Sequence, residues 1–241
     1  MHEMNRIVGV LGGMGPDATV DFMSKVIALT PADKDQDHVH MIIDHNPKVP
    51  NRQSAILDNG EDPGPAIAAM ARRLETAGAD FLVIPCNTAY VFQDSVLDAV
   101  SVPLISIIDE TIRAIGELRP GVNKVGVLAT DGCLRADVYQ KALRKKDFSP
   151  VLPSADELAR LMDLIVRIKA GDQNEDVSGA MQQLASALVS RGAQVVIAAC
   201  TEIPLVLDET MMSVPLVSST DVLAQRTVQL AHGDLPLTDR E

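Results

Sequence analysis

Two stretches decide the reading of this chain: AGADFLVIPCNTA (77–89) and RGAQVVIAACTEI (191–203). Each places a glycine ahead of a short aliphatic run, ends that run in a cysteine (Cys86 or Cys200) and then turns polar. Apolar runs of this length between turn residues read as strands buried on both faces. The cysteines lie 114 residues apart (200−86), and the sequence around them repeats in the same order. GVLGGMG (9–15) answers GVLATDG (126–132) at an offset of 117 (126−9). VPLISIIDET (102–111) answers VPLVSSTDVL (214–223) at an offset of 112 (214−102). Three matches in register at nearly constant spacing indicate an internal duplication.

Short aliphatic runs alternate with amphipathic stretches throughout, the pattern of βα units around a parallel sheet. Strands are expected at 6–13, 38–46, 80–85, 102–109, 123–130 and 194–199, and helices at 16–30, 64–79, 88–100, 133–146, 154–171 and 176–193. Ser154 and Glu157 stand at capping-box spacing ahead of the helix that Gly171 ends. The expected fold class is α/β. It has two similar lobes, each a parallel sheet flanked by helices, related by a pseudo-two-fold axis with the active site between them. The first lobe is drawn at 1–103 plus 217–241 and carries Cys86. The second is drawn at 104–216 and carries Cys200.

At 241 residues with 46% hydrophobic side chains, the chain has ample core for such a domain pair. Aromatic residues make up only 2% and tryptophan is absent, so the core must be aliphatic and methionine-rich. No apolar stretch approaches the roughly 18 residues of a membrane span, and the first residues lack the pattern of a signal peptide. With three cysteines, an odd number, these features point to free thiols and a cytoplasmic location. The net charge of −12 disfavours nucleic acid as a partner. An anionic small molecule would need a few local cations to hold it.

Both cysteines fall at the carboxyl ends of strands, where α/β sheets bind ligands and helix N-termini offer free N–H groups. Such a place favours the thiolate, lowering a reference pKa of about 8.5. A lone cysteine at a strand end reads as a buried, apolar-like residue. A duplicated pair reads differently, because equivalent strand ends related by a two-fold would bring two thiols to one ligand. Inversion of a stereocentre needs this arrangement: a base on one face removes the α-proton and an acid on the other returns one.

The segments LGGMGP, PCNTA and ACTE, with NPKVPNR, GEDP and IKAG between them, resemble the aspartate/glutamate racemase family of two-cysteine enzymes that work without pyridoxal phosphate. The resemblance spans nearly the whole chain and is nearest to the aspartate branch. It implies a cofactor-independent racemase, commonly a homodimer, with Cys86 and Cys200 as the acid/base thiols and a dicarboxylic amino acid as substrate. It further implies that Asn87, Thr88, Thr130 and Thr201 hold the α-carboxylate and amino group, that Arg52 grips the distal carboxylate and that Lys169 assists it. A planar guanidinium fork suits a carboxylate and an ammonium supplies a point charge; the plainer alternatives are a loop salt bridge for Arg52 and a solvated helix end for Lys169. Glutamate racemases typically carry Asp or Ser in the first glycine loop and His after the second cysteine motif. Here Met14 and Glu202 take those places, and both are counted as substrate-side residues. Cys133 has no counterpart in the first lobe, where Pro16 stands, and reads as a bystander.

Other readings stay in view. GGMGP lacks the G-x-G-x-x-G spacing of a dinucleotide site, and Pro16 removes an N–H. His38 and His40 share a strand face without a clear third ligand for a metal. Other members of the superfamily (glutamate or hydantoin racemases, maleate isomerases), a non-catalytic amino-acid-binding protein and a redox dithiol pair are the remaining alternatives.

Overall fold

The computed structural model describes residues 6–118 and 121–237. The first run of elements is β1 (Val8–Gly12), α1 (Pro16–Leu29), β2 (Met41–His45), α2 (Arg52–Leu57), α3 (Gly64–Thr76) and β3 (Phe81–Val83). A 3-10 turn over Asn87–Phe92 then leads to α4 (Gln93–Leu97), β4 (Leu104–Ile105) and α5 (Ile107–Leu118). The second run is β5 (Lys124–Leu128), α6 (Asp131–Arg135), α7 (Val138–Arg144), β6 (Ser149–Val151), α8 (Ala155–Lys169), α9 (Glu175–Ser190), β7 (Val195–Ala198), β8 (Leu216–Ser218) and α10 (Ser219–Ala231). The strands form two parallel four-stranded sheets, ordered β2-β1-β3-β4 and β6-β5-β7-β8. The contacts divide the chain into two compact units, Met1–Ile107 with Thr220–Glu241, and Ile108–Ser219. No helix among the described residues is long and apolar enough to cross a membrane.

The duplication seen in the sequence is repeated in the packing details of each unit. β1 and β3 are buried along their whole length, as are β7 and all of β5 after Lys124. This is why they read as unbroken aliphatic runs. Gly9 in β1 lies beneath Leu74 and Ala79, and Gly126 in β5 lies beneath Leu188 and Ala193, both pairs at the 114-residue offset. Each glycine lets a helix end approach its strand closely. The turn between that helix and the next strand is made by Gly78 or Gly192, both at φ +96°, a backbone region that L-residues rarely adopt. The residue two places after that glycine then clamps the strand start. Asp80 accepts from the Ile7 N–H at 2.6 Å, and Gln194 accepts from the N–H groups of Asn123 and Lys124 at 2.9 and 3.0 Å.

In four places the chain departs from the pattern read in the sequence. The 102–109 strand pairs only at Leu104–Ile105, because α5 starts at Ile107 and buries Ile107, Ile108, Ile112 and Ile115 at helical spacing. The expected helix at 133–146 is two helices, broken at Asp137, which takes a left-handed conformation at φ 59°. His38 and His40 precede β2, which begins at Met41. β6 and the short helix α2 were not expected at all. β6 is an edge strand that includes Pro150, a residue edge positions tolerate.

The helix predicted to start at Ser154 does so with both halves of its capping box. Ser154 Oγ accepts from the Glu157 N–H at 3.3 Å, and Glu157 Oε2 accepts from the Ser154 N–H at 2.8 Å. Arg191, just past α9, grips the same carboxylate through two guanidinium nitrogens at 2.8 and 2.7 Å, tying α9 to α8. The Arg191 guanidinium is the first cause, and these bonds hold the Glu157 carboxyl down to about 2.

Two outcomes follow from this packing. Ala at position 9 would place its Cβ 2.6 Å from Leu82 Cδ2 and 2.9 Å from Ala79 Cβ, whereas at position 126 the nearest atoms lie at 3.2 Å. Gly9→Ala should therefore destabilise by about 1–3 kcal/mol and Gly126→Ala by less, ranked by urea unfolding midpoints. Glu157→Gln should lower stability at neutral pH by about 1 kcal/mol. The folded carboxyl titrates below its unfolded value, so its contribution is complete above the unfolded pKa and fades as pH falls towards about 2. Thermal melts of wild type and variant should converge over that acid range.

Candidate active site

In the first unit, the residues singled out in the sequence collect at the carboxyl ends of β1, β2 and β3. The glycine loop after β1 turns at Gly13, φ +88°, where a Cβ would lie 2.5 Å from the Asn46 backbone carbon. That close approach requires glycine. Thr19 of α1 secures the loop: its hydroxyl accepts from the Gly13 N–H at 2.8 Å and donates to the Gly15 carbonyl at 2.9 Å. Met14, between them, is buried.

Arg52 opens α2, which Asn51 caps by accepting from the N–H groups of Gln53 and Ser54. Arg52 Nη1 donates to the carbonyls of Val49 and Pro50 at 3.0 and 2.8 Å, so its own loop holds the guanidinium in place. Among the described residues no carboxylate is ion-paired with it. Gln53, the next residue, donates from Nε2 to Thr88 Oγ1 at 3.4 Å. Through this contact α2 rests on the turn that follows Cys86, a link with no trace in sequence spacing.

Cys86 ends the β3 segment in extended backbone, 7% exposed, and heads the 3-10 turn that carries Asn87 and Thr88. Both are buried, an environment polar side chains occupy when they have partners. Tyr90 in the same turn donates its hydroxyl to the Ile105 carbonyl at 2.6 Å, anchoring the turn to β4.

In the second unit the corresponding strand ends belong to β5 and β7, paired in parallel from Val125↔Val195 to Leu128↔Ala198. The Ala199 N–H donates to the Leu128 carbonyl at 2.8 Å and continues the ladder by one rung. Thr130 and Cys200 are thus the next residues out on neighbouring strands. Thr130 is the N-cap of α6, its hydroxyl accepting from the Cys133 N–H at 3.4 Å. Cys133 is fully buried, a position that suits a core residue.

Cys200, Thr201 and Glu202 are all buried, at 6%, 2% and 4% exposure. The Cys200 thiol donates to Glu202 Oε2 at 2.9 Å, and the Thr201 hydroxyl donates to the same oxygen at 3.3 Å. Glu202 Oε1 is ion-paired with Lys169, the last residue of α8, whose side chain remains 42% exposed. Burial, and after it the Glu202 carboxylate, pushes the Cys200 thiol well above its ordinary range, while Lys169 pulls the other way. The lowered pKa expected of a cysteine at a strand end is therefore reversed here. Loss of hydration and an adjacent carboxylate outweigh the backbone N–H groups. Of the second-unit residues, the structure brings Cys200, Thr201, Glu202 and Lys169 into one bonded cluster.

Comparison with known proteins bears on the family and the fold. The family model for Asp/Glu/hydantoin racemases matches residues 11–227. The broad-specificity amino-acid racemase RacX of Bacillus subtilis is 34% identical over 92% of this chain and 96% of its own. Among solved structures, the aspartate racemase of Picrophilus torridus superposes with a TM-score of 0.81 at 29% identity, covering 94% of each chain. An aspartate racemase homologue from Pyrococcus horikoshii gives a TM-score of 0.77 at 27% identity over 95% of this chain and 99% of that one. The chain belongs to the Asp/Glu/hydantoin racemase family and is an amino-acid racemase.

Proposed function

We propose that this racemase interconverts L- and D-aspartate by proton transfer at Cα between Cys86 and Cys200. The observation that supports this most strongly is the repetition of one buried thiol at the same strand end of both duplicated units. One residue at one face can remove a proton there, and a second at the other face is placed to deliver one. In the forward step a thiolate takes the α-proton and the opposite thiol protonates the resulting carbanion. The two sulfurs exchange roles for the return direction.

The carbanion forms beside a carboxylate and gains from hydrogen-bond donors aimed at the developing charge. Asn87, Thr88 and Thr130 supply such donors in this reading, and Thr201, whose hydroxyl hydrogen goes to Glu202, joins them in holding the α-carboxylate and amino group through its backbone N–H and hydroxyl lone pairs. Arg52 holds the distal carboxylate. Its Nη1 is committed to the Val49 and Pro50 carbonyls, which fixes the guanidinium and leaves its other nitrogens for the substrate. Lys169 adds positive charge. The reaction as proposed calls on no cofactor or metal, and the protein works as a homodimer in the cytoplasm, where its three free thiols stay reduced. The likeness to RacX favours a second reading, in which side chains other than aspartate's are also accepted.

Cys86→Ala and Cys200→Ala should each reduce racemisation of either aspartate enantiomer by about 1,000-fold or more, since each removes an acid/base group. Polarimetry or chiral chromatography reads the result, and full activity in either variant would end the two-thiol account. Arg52→Ala should raise KM for aspartate by more than about 10-fold through loss of charge-assisted bonds. If instead aspartate is unaffected and monocarboxylic amino acids turn over equally well, the broader reading holds.

A further inference from the structure

We infer that Glu202 is a positioning residue for Cys200: it aims the S–H bond and keeps the sulfur protonated until substrate takes the proton, while Lys169 serves as its counter-ion. This rests on the reading of Cys200 as one of the two acid/base thiols, and it moves Glu202 from the substrate to the sulfur.

The geometry carries the argument. Glu202 is buried, and its two oxygens face different partners: Oε1 faces Lys169, and Oε2 faces Cys200 at 2.9 Å and Thr201 at 3.3 Å. A carboxylate can only accept, so the hydrogen between Sγ and Oε2 belongs to the sulfur. Were Cys200 ionised, a thiolate would sit against a carboxylate oxygen with no hydrogen between them, out of reach of bulk water. Buried like charges at that separation repel strongly.

The charges acting on Cys200 are Glu202 from its own turn and Lys169 from α8. Cys200 belongs to a hydrophobic cluster that includes Leu128, Ile165, Ile168 and Ile203. Asp131 of α6 is engaged by Arg135 at 2.9 Å. In the first unit the uncharged Thr88 stands two residues after Cys86, where the second has Glu202.

The two thiols are therefore unequal. When Cys200 acts as the acid, its S–H bond breaks, the proton joins the electron pair on Cα, and the sulfur is left as a thiolate beside Glu202. Lys169 is then the cation that offsets two neighbouring anions. Its removal should penalise that state, and removal of the Glu202 charge should favour it.

The test is the pH dependence of iodoacetamide alkylation at Cys200 in the full-length protein, read by peptide mass spectrometry for wild type, Glu202→Gln, Glu202→Asp and Lys169→Gln. Glu202→Gln should move the Cys200 profile to lower pH, and a midpoint lower by about one pH unit would raise the rate near pH 8 by about 10-fold. Glu202→Asp should fall between it and wild type, and Lys169→Gln should move the profile to higher pH. A Glu202→Gln profile that superposes on wild type, or moves upward, overturns the proposal. Cys133, fully buried in the same unit, reports any opening of the fold. If it labels as fast as Cys200 in Glu202→Gln, the Lys169→Gln profile decides, and an unshifted or lowered midpoint there overturns the proposal. Alkylation needs no turnover, so these changes in a protein that fails to racemise aspartate would support the role of Glu202 and refute the substrate.

Discussion

Parallel pairing of the cysteine-bearing strand against the first strand of its own sheet is the constraint on which the rest depends. β3 pairs with β1 and β7 with β5, and both cysteine-bearing strands are buried on both faces. A buried parallel strand delivers its last residues to the sheet's carboxyl edge with little freedom. Whatever follows it is presented at a fixed place. Gly9 and Gly126 let the preceding helix press close, and Gly78 and Gly192 make the turn that starts the cysteine strand in register. The same few devices, repeated 114 to 117 residues apart, place two thiols in equivalent positions.

Equivalent position does not mean equivalent chemistry. The turn after Cys86 carries Asn87 and Thr88, braced by Gln53 and Tyr90, and presents amide and hydroxyl groups. The turn after Cys200 carries Thr201 and a buried carboxylate that engages the thiol and an ammonium together. After duplication, the scaffold kept its geometry while the side chains beside each sulfur diverged. A racemase must run in both directions, yet nothing in the proposed mechanism requires its two proton carriers to rest in the same state. Such divergence is a direct way to set which one rests as the acid.

Much of this was legible in the sequence because buried parallel strands leave unmistakable aliphatic runs, and because a repeat in register exposes a duplication. The capping box at Ser154 and Glu157 was equally plain, being a local pattern. β6 was hidden by its length of three residues and by Pro150, and the break at Asp137 by the absence of any glycine or proline to announce it. The end of β4 at Ile105 was masked because ISII suits a buried strand and a helix start alike. The cysteines, Thr130 and Arg52 were singled out from pattern and resemblance. The Lys169–Glu202–Cys200 contact was not, because Lys169 and Glu202 lie 33 residues apart along the chain and no periodicity joins them. The one local signal was a carboxylate two residues after a thiol.

The central claim is that two separate sulfurs handle the α-proton, and isotope placement tests it most directly. L-aspartate is turned over in D₂O, the enantiomers are separated early in the reaction, and deuterium at Cα is measured in each by mass spectrometry. Two thiols on opposite faces predict deuterium in the D-aspartate formed, because the donating thiol carries a solvent-derived isotope, with the remaining L-aspartate still unlabelled. Deuterium entering both pools at the same rate, or D-aspartate that retains the original hydrogen, would mean that one base serves both faces and would contradict the account.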